Sequence, residues 1–124
     1  MLYENVEARL ITPNQGVEIS GVDLNHLRDD QAADIKQALI DRKIIVFRDQ
    51  QISPERYASF MALFGEPVVE DMESVDGNPP CVGVIHIHPN EQQKINFWHM
   101  DHSFRATPSP KLSLYAKILP DCGG

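Results

Sequence analysis

Apolar and polar residues alternate or recur at helical spacing along the first part of the chain, and this pattern predicts its first elements. The alternating segments "VEARLIT" and "VEISGVDL", separated by the turn-forming Pro13–Gly16, predict a β-hairpin. Apolar residues at three- and four-residue spacing from Asp29 to about Lys43 predict an amphipathic helix. The β-branched stretch Ile44–Phe47 is apolar on both faces, which predicts a strand buried inside a sheet.

A second helix is predicted from strong start and stop signals. Ser53 offers a side-chain acceptor at the N-cap, and Pro54 suits the first helical position because its missing N–H would have no partner there. An apolar stripe follows, and Gly65 and Pro67 are expected to end the helix, the glycine through a left-handed cap. The signals predict a helix from Pro54 to Phe64.

The second half of the chain carries strand-like patterns and one loop. The segment Glu70–Pro80 is acidic and rich in turn formers, so we expect a loop that could cover a site. Alternation predicts strands at Cys81–His88, then through Phe97 to about His102, and at Leu112–Ile118. A chain of 124 residues has the length of one domain.

Composition and charge exclude some classes of function. A formal net charge of −7 argues against a nucleic-acid partner, which requires a basic face. No apolar run approaches the ~20 residues that span a bilayer, and the N-terminus lacks the apolar core of a signal peptide, so no membrane partner is expected. Cys81 and Cys122 lie far apart without metal-type spacing, which favours unpaired thiols and a cytoplasmic location.

His99 and Asp101, within "NFWHMDHSF", form the main candidate site. Residues two apart in a strand share a face about 7 Å apart, so both side chains could reach one metal ion while Met100 points away. With five histidines and eighteen acidic residues, however, about one such pair is expected by chance. The spacing alone therefore favours two polar residues satisfied by hydrogen bonds near a strand end.

A rival metal site is centred on His86 and His88. These imidazoles share a face in the same way, and Glu91 follows at a distance loosely similar to that in cupin metal motifs. Because the same face also carries Val82 and Val84, it is more typical of a half-buried strand than of a metal site.

Several blocks of the chain resemble the taurine dioxygenase family of non-haem iron(II), 2-oxoglutarate-dependent dioxygenases. The blocks are "GVEISGVDL", "IIVFRDQQISPERYASFMALFGE", "WHMDHSF" and "TPSPKLSLYAKILPDCGG". The resemblance implies an α+β fold, the N-terminal part of a distorted double-stranded β-helix (jelly roll) with two flanking helices. It also implies Fe(II), 2-oxoglutarate as co-substrate and O2, with His99 and Asp101 as catalytic residues and as two ligands of a 2-His-1-carboxylate facial triad.

The resemblance also bears on the substrate. Phe104 matches a position that lines the family's substrate pocket, although an aromatic residue of the core would fit the same pattern. Trp98 is expected to pack behind the metal ligands. His102 stands where the family often has an apolar residue. We expect it to share the face of His99 and Asp101 if the strand continues, and to contact an anionic group of the substrate. Taurine-using members carry a histidine in the segment where this chain has Pro67-Val68-Val69-Glu70, so taurine itself is disfavoured as a substrate. The expected substrate is another small anion of the kinds that the family oxidises: a sulfonate, a sulfate ester or a carboxylate.

The family's distal histidine, and its threonine and arginine for 2-oxoglutarate, would lie beyond Gly124. Residues 1–124 are therefore expected to form a single incomplete dioxygenase domain whose cofactor-binding residues are unknown. We expect this chain alone to be inactive and to associate through unpaired strand edges, and its full-length parent to be a homo-oligomer. The alternative is a non-catalytic small-molecule binding or interaction module on the same scaffold.

Overall fold

The computed structural model describes residues 3–69, 77–87, 97–109 and 111–121. The chain divides into two compact units, Met1–Val84 and Ile85–Gly124. The first unit contains, in chain order, β1 (Glu7–Leu10), β2 (Val17–Ser20), α1 (Asp29–Arg42), β3 (Ile45–Phe47) and α2 (Pro54–Ala62). The predicted α+β class is therefore confirmed. No helix in the described ranges is long and apolar enough to cross a membrane.

The three strands form one sheet in the order β1–β2–β3. The predicted hairpin is confirmed, since β1 and β2 pair antiparallel, and Gly16 takes a φ of +82° in the turn, a conformation that favours glycine. The crossover through α1 makes β3 parallel to β2. The expectation that β3 lies inside the sheet is wrong. Within the described residues β3 is a half-exposed edge strand, because the hairpin places β2 in the centre.

The core of the first unit lies between the sheet and α1. Val17 and Ile19 alternate onto one face of β2 and are 0% and 1% exposed. Ile35 and Ala38 of α1 are fully buried, and α1 packs against β2 and β3. Burial of these side chains removes apolar surface from water, which is the main stabilising contribution in a small domain.

Two side-chain pairs join β1 to β2 on the sheet. Arg9 and Glu18 face each other across the strands, and their side chains form an ion pair of 2.9 Å. Arg48, just after β3, contacts the same carboxylate at 3.0 Å. The pKa of Glu18 is lowered, first by the hydrogen bond from Arg48 and then by the Arg9 charge. Ser20 donates to the carboxylate of Glu7, its partner across the strands, at 3.0 Å.

Helix α2 begins as predicted and ends two residues early. The Ser53 hydroxyl accepts the Arg56 N–H at 3.3 Å, which confirms the N-cap. The helix ends at Ala62 because the next three N–H groups bond carbonyls three residues back, which tightens the chain into a 3₁₀-type turn. Gly65 has a φ of +144°, a conformation that favours glycine, but it does not form the left-handed cap that the sequence predicted.

The strands predicted in the second half are not formed in the described residues. Residues 81–87, 97–102 and 112–118 contain only an isolated β-bridge at Gly83, and apolar side chains such as Ile118 remain exposed. Alternation gives a segment two faces, but a strand also requires a neighbour for its backbone groups. Residues 70–76 of the predicted loop lie outside the described residues, as do His88, Glu91 and Cys122.

The segment that connects β2 to α1 is organised around Asp23. Its carboxylate accepts from the His26 ring at 2.9 Å, from the Asn25 backbone N–H at 2.9 Å and from the Asn25 amide at 3.0 Å. These bonds, with that from His26 the largest contribution, lower the pKa of Asp23 to about 2.

We predict that the buried face of α1 dominates the stability of the first unit. Ile35→Ala should lower the free energy of unfolding by about 3 kcal/mol, because it leaves a cavity against the sheet. Ile40→Ala, on the same helix but 62% exposed, is the control and should change stability by less than about 0.5 kcal/mol. Chemical denaturation followed by circular dichroism measures both. Equal losses would contradict the proposed core.

A second prediction concerns pH. Because the folded pKa of Asp23 lies below the ordinary value of about 3.9, its stabilising contribution is complete above about pH 4 and is lost as pH falls towards 2. A ¹³C NMR titration of the Asp23 carboxyl should give a midpoint near 2. His26→Ala should raise this midpoint, whereas Arg28→Ala, whose side chain pairs with Asp30, should not. A midpoint unchanged by His26→Ala would refute this account.

Candidate metal centre

The side chains of His99 and Asp101 converge. His99 Nε2 lies 3.2 Å from Asp101 Oδ1, and the two side chains are 43% and 48% exposed. They converge although no strand is present, because the chain enters a turn at Asp101 that continues to Phe104. Both groups belong to the second unit and are open to solvent on one side.

A backbone carbonyl determines which ring nitrogen of His99 carries hydrogen. His99 Nδ1 lies 3.1 Å from the Phe97 carbonyl oxygen, which can only accept, so Nδ1 must be the donor. In the neutral ring, Nε2 then carries a lone pair and faces a carboxylate oxygen that is also an acceptor. Two acceptors at this distance repel unless a positive charge lies between them. That charge is either a proton on Nε2 or a metal cation bound by both atoms.

The two donors suit a first-row transition metal. Imidazole nitrogen and carboxylate oxygen are the ligands of non-haem iron(II), and bonds of about 2.1 Å place neighbouring ligand atoms about 3 Å apart. The observed 3.2 Å fits adjacent positions on one ion, and it also fits an imidazolium–carboxylate pair. Within the described ranges, no third His, Cys, Asp or Glu joins them. The contact of the Phe97 carbonyl with the far nitrogen of the ring, which orients imidazole ligands in many metal sites, was not expected from the sequence.

His102 takes a different position from the expected one. Its φ is +55°, within the turn, and its Nδ1 lies 3.2 Å from the Ser109 hydroxyl. The expectation that it shares a face with His99 and Asp101 is wrong. The chain turns here, and in a continued strand residues 101 and 102 would in any case face opposite sides. The Ser109 contact was also not expected from the sequence, since the two residues lie seven positions apart in a loop.

Phe104 is a surface residue rather than a core aromatic. The residue is 83% exposed, and its ring lies edge-on to the His102 ring, with centroids 6.1 Å apart. The Arg105 guanidinium lies 5.8 Å from the Phe104 ring centroid. The three side chains form a row of imidazole, phenyl and guanidinium directly after Asp101.

Two other expectations concern aromatic packing and the rival site. Trp98 is fully exposed, so the expectation that it packs behind the ligands is wrong. His86 is exposed, while His88 and Glu91 lie outside the described residues, so the cupin-like alternative stays a prediction.

Comparison with known proteins places these observations in a family. Residues 7–124 match the family "Taurine catabolism dioxygenase TauD, TfdA family". An alpha-ketoglutarate-dependent sulfonate dioxygenase of Saccharomyces cerevisiae is 24% identical over 98% of this chain and 33% of its own length. The (S)-phenoxypropionate/alpha-ketoglutarate-dioxygenase of Sphingobium herbicidovorans is 24% identical over 88% of this chain and 39% of its own. The chain thus spans between a third and two-fifths of these relatives.

Solved structures give the same result. A Burkholderia xenovorans protein assigned as an alpha-ketoglutarate-dependent taurine dioxygenase is similar over 83% of this chain and 38% of its own, with a TM-score of 0.72 and 32% identity. A taurine dioxygenase from the same organism has a TM-score of 0.55 and 32% identity, over 61% of this chain and 27% of its own. AAD-2, solved in complex with Mn(II) and N-oxalylglycine, has a TM-score of 0.50 and 26% identity, over 52% of this chain and 23% of its own.

The family match covers almost the whole chain and includes both His99 and Asp101. The resemblance that the sequence blocks indicated is therefore confirmed, and the chain belongs to the taurine catabolism dioxygenase TauD/TfdA family.

Proposed function

We propose that this chain is part of an iron(II)- and 2-oxoglutarate-dependent dioxygenase in which His99 and Asp101 supply two of the metal ligands. The observation that carries the proposal is the 3.2 Å approach of His99 Nε2 to Asp101 Oδ1 with Nδ1 already committed to the Phe97 carbonyl. Two curated relatives are named as alpha-ketoglutarate-dependent dioxygenases, which supports the choice of co-substrate.

The bound iron, with 2-oxoglutarate and dioxygen, would supply the oxidising power that hydroxylates a substrate C–H bond. The residues of this chain would prepare the site. The Phe97 carbonyl holds the imidazole in the tautomer that presents a lone pair at Nε2. The Asp101 carboxylate would offset part of the charge of the cation, and the open side of the pair would leave room for further ligands.

The remaining ligand is proposed to come from residues other than these 124. Iron held by only two protein ligands would bind weakly, and the described residues offer no third. The chain covers only 33% and 39% of its curated relatives, which is consistent with the N-terminal part of a jelly roll. In such a domain, segments such as Leu112–Ile118 would find the strand partners that their alternation requires.

The substrate is proposed to be a small organic anion. Sulfonate and phenoxypropionate, in the names of the two curated relatives, are both anionic. His102 and Phe104 are the proposed substrate-contacting residues, an imidazole for the anionic group and an exposed ring for the apolar part. The Ser109 hydroxyl would hold the His102 ring in place.

We predict that the His99–Asp101 pair binds a divalent metal even in this chain. Substoichiometric Mn(II) should broaden the NMR signals of the His99 ring before those of other histidines, because paramagnetic broadening detects even weak coordination. Asp101→Ala should weaken Mn(II) binding at least about tenfold through loss of one of two ligands. Met100→Ala, with a side chain 66% exposed between the two ligands, is the matched control and should leave binding unchanged.

The same titration tests the rival site. Broadening centred on His86 that survives Asp101→Ala would contradict the proposal and favour the cupin-like alternative. Addition of N-oxalylglycine, which carries two terminal carboxylates like 2-oxoglutarate, should strengthen Mn(II) binding only if the metal keeps open positions.

We predict that the 124 residues alone do not turn over 2-oxoglutarate, because the metal lacks a third protein ligand among the described residues. Succinate should stay at the level of a no-protein blank when the chain is incubated with Fe(II), ascorbate and 2-oxoglutarate. The His99→Ala variant is the matched control. Succinate formed by the unaltered chain and abolished by His99→Ala would show that these residues suffice, which would overturn the proposal of an incomplete domain.

A further inference from the structure

A groove in the first unit lies between the segment before α1 and the helix α2. It has a volume of about 200 Å³, and its apolar lining is formed by Leu24, Leu27, Phe60 and Leu63. Sites for drug-sized ligands begin near 300 Å³, so this groove suits a short chain of carbon atoms.

Hydrogen bonds hold one wall of the groove in place. Leu24 N–H donates to the Gln50 side-chain oxygen at 3.0 Å, and the Asn25 amide donates to the Gln51 carbonyl at 2.8 Å. The Ser53 cap fixes the start of α2, which forms the other wall. The groove therefore does not need to be ordered by a ligand, which reduces the entropic cost of binding.

The polar side chains of the groove leave one donor uncommitted. Asn25 uses its amide group for Asp23 and Gln51, and the Ser59 hydroxyl donates to the Glu55 carbonyl at 2.9 Å. The third polar residue of the lining, Arg56, is exposed and carries a positive charge. Within the described residues its guanidinium forms no hydrogen bond or ion pair, and only its backbone N–H is engaged.

The other arginines of the same unit are in a different situation. Arg9 and Arg48 share the Glu18 carboxylate, Arg28 pairs with Asp30, and Arg42 donates to the Pro13 carbonyl. Arg56 thus combines an uncommitted positive charge with an adjacent apolar groove. A ligand that complements both features has an anionic head and a short apolar tail.

We propose that this groove binds a small amphiphilic anion, such as a short-chain carboxylate, with its head on Arg56 and its tail along the leucines. The proposal is independent of the metal centre, since none of the lining residues takes part in the function proposed above. The groove is open and small, so we expect a dissociation constant on the order of 1 mM.

The test is a titration of the whole chain, labelled at the leucine methyl groups, with hexanoate. We expect shifts confined to Leu24, Leu27 and Leu63. Hexylammonium, with the same tail and the opposite charge, should bind at least about fivefold more weakly, and so should acetate, which lacks the tail.

Variants separate the charge from the groove. Arg56→Gln should weaken hexanoate binding about fivefold, whereas Arg28→Gln, an arginine outside the groove, should leave it unchanged. Both positions are exposed, and an unchanged NMR spectrum of the free variants would show that the fold is retained. Shifts at other leucines, equal binding of hexylammonium, or no effect of Arg56→Gln would overturn the proposal.

Discussion

A neutral imidazole can donate a hydrogen bond from only one of its two nitrogens, and this constraint determines the chemistry of the His99–Asp101 pair. Because Nδ1–H donates its hydrogen bond to the Phe97 carbonyl, Nε2 of the neutral ring is left as an electron-pair donor beside a carboxylate. The pair then needs either a proton or a metal cation to be stable. A backbone acceptor two residues upstream therefore turns an ordinary polar pair into a candidate metal site.

The sequence predicted best those elements whose signals are local. The hairpin turn, the Ser53 cap and the periodicity of α1 each depend on a few neighbouring residues, and the structure confirms them. The position of β3 in the sheet was predicted incorrectly because four apolar residues cannot distinguish a central strand from an edge strand. The later strands were also predicted incorrectly, because each requires a pairing partner that the described residues do not provide.

For the candidate site, the sequence supplied the identities of the side chains but not their environment. A histidine two residues from an acidic residue is expected about once by chance in this composition, and only the surrounding blocks indicated the family. The contacts of His99 with the Phe97 carbonyl and of His102 with the Ser109 hydroxyl could not be predicted from the sequence. Every residue has a backbone acceptor, and contacts within a loop follow no periodic pattern. Arg56 likewise reads as an ordinary helix residue, and only the structure reveals its uncommitted charge beside an apolar groove.

The paired side chains across β1 and β2 have a consequence for misfolding. Because side chains alternate between the faces of a strand, a slip of one residue would carry Arg9 away from Glu18 and Glu7 away from Ser20 at the same moment. The Glu18 carboxylate also contacts Arg48, just after β3, and a slip of β1 alone would leave that contact in place. These polar pairs thus disfavour misaligned hairpins, on the face of β2 opposite the buried Val17 and Ile19.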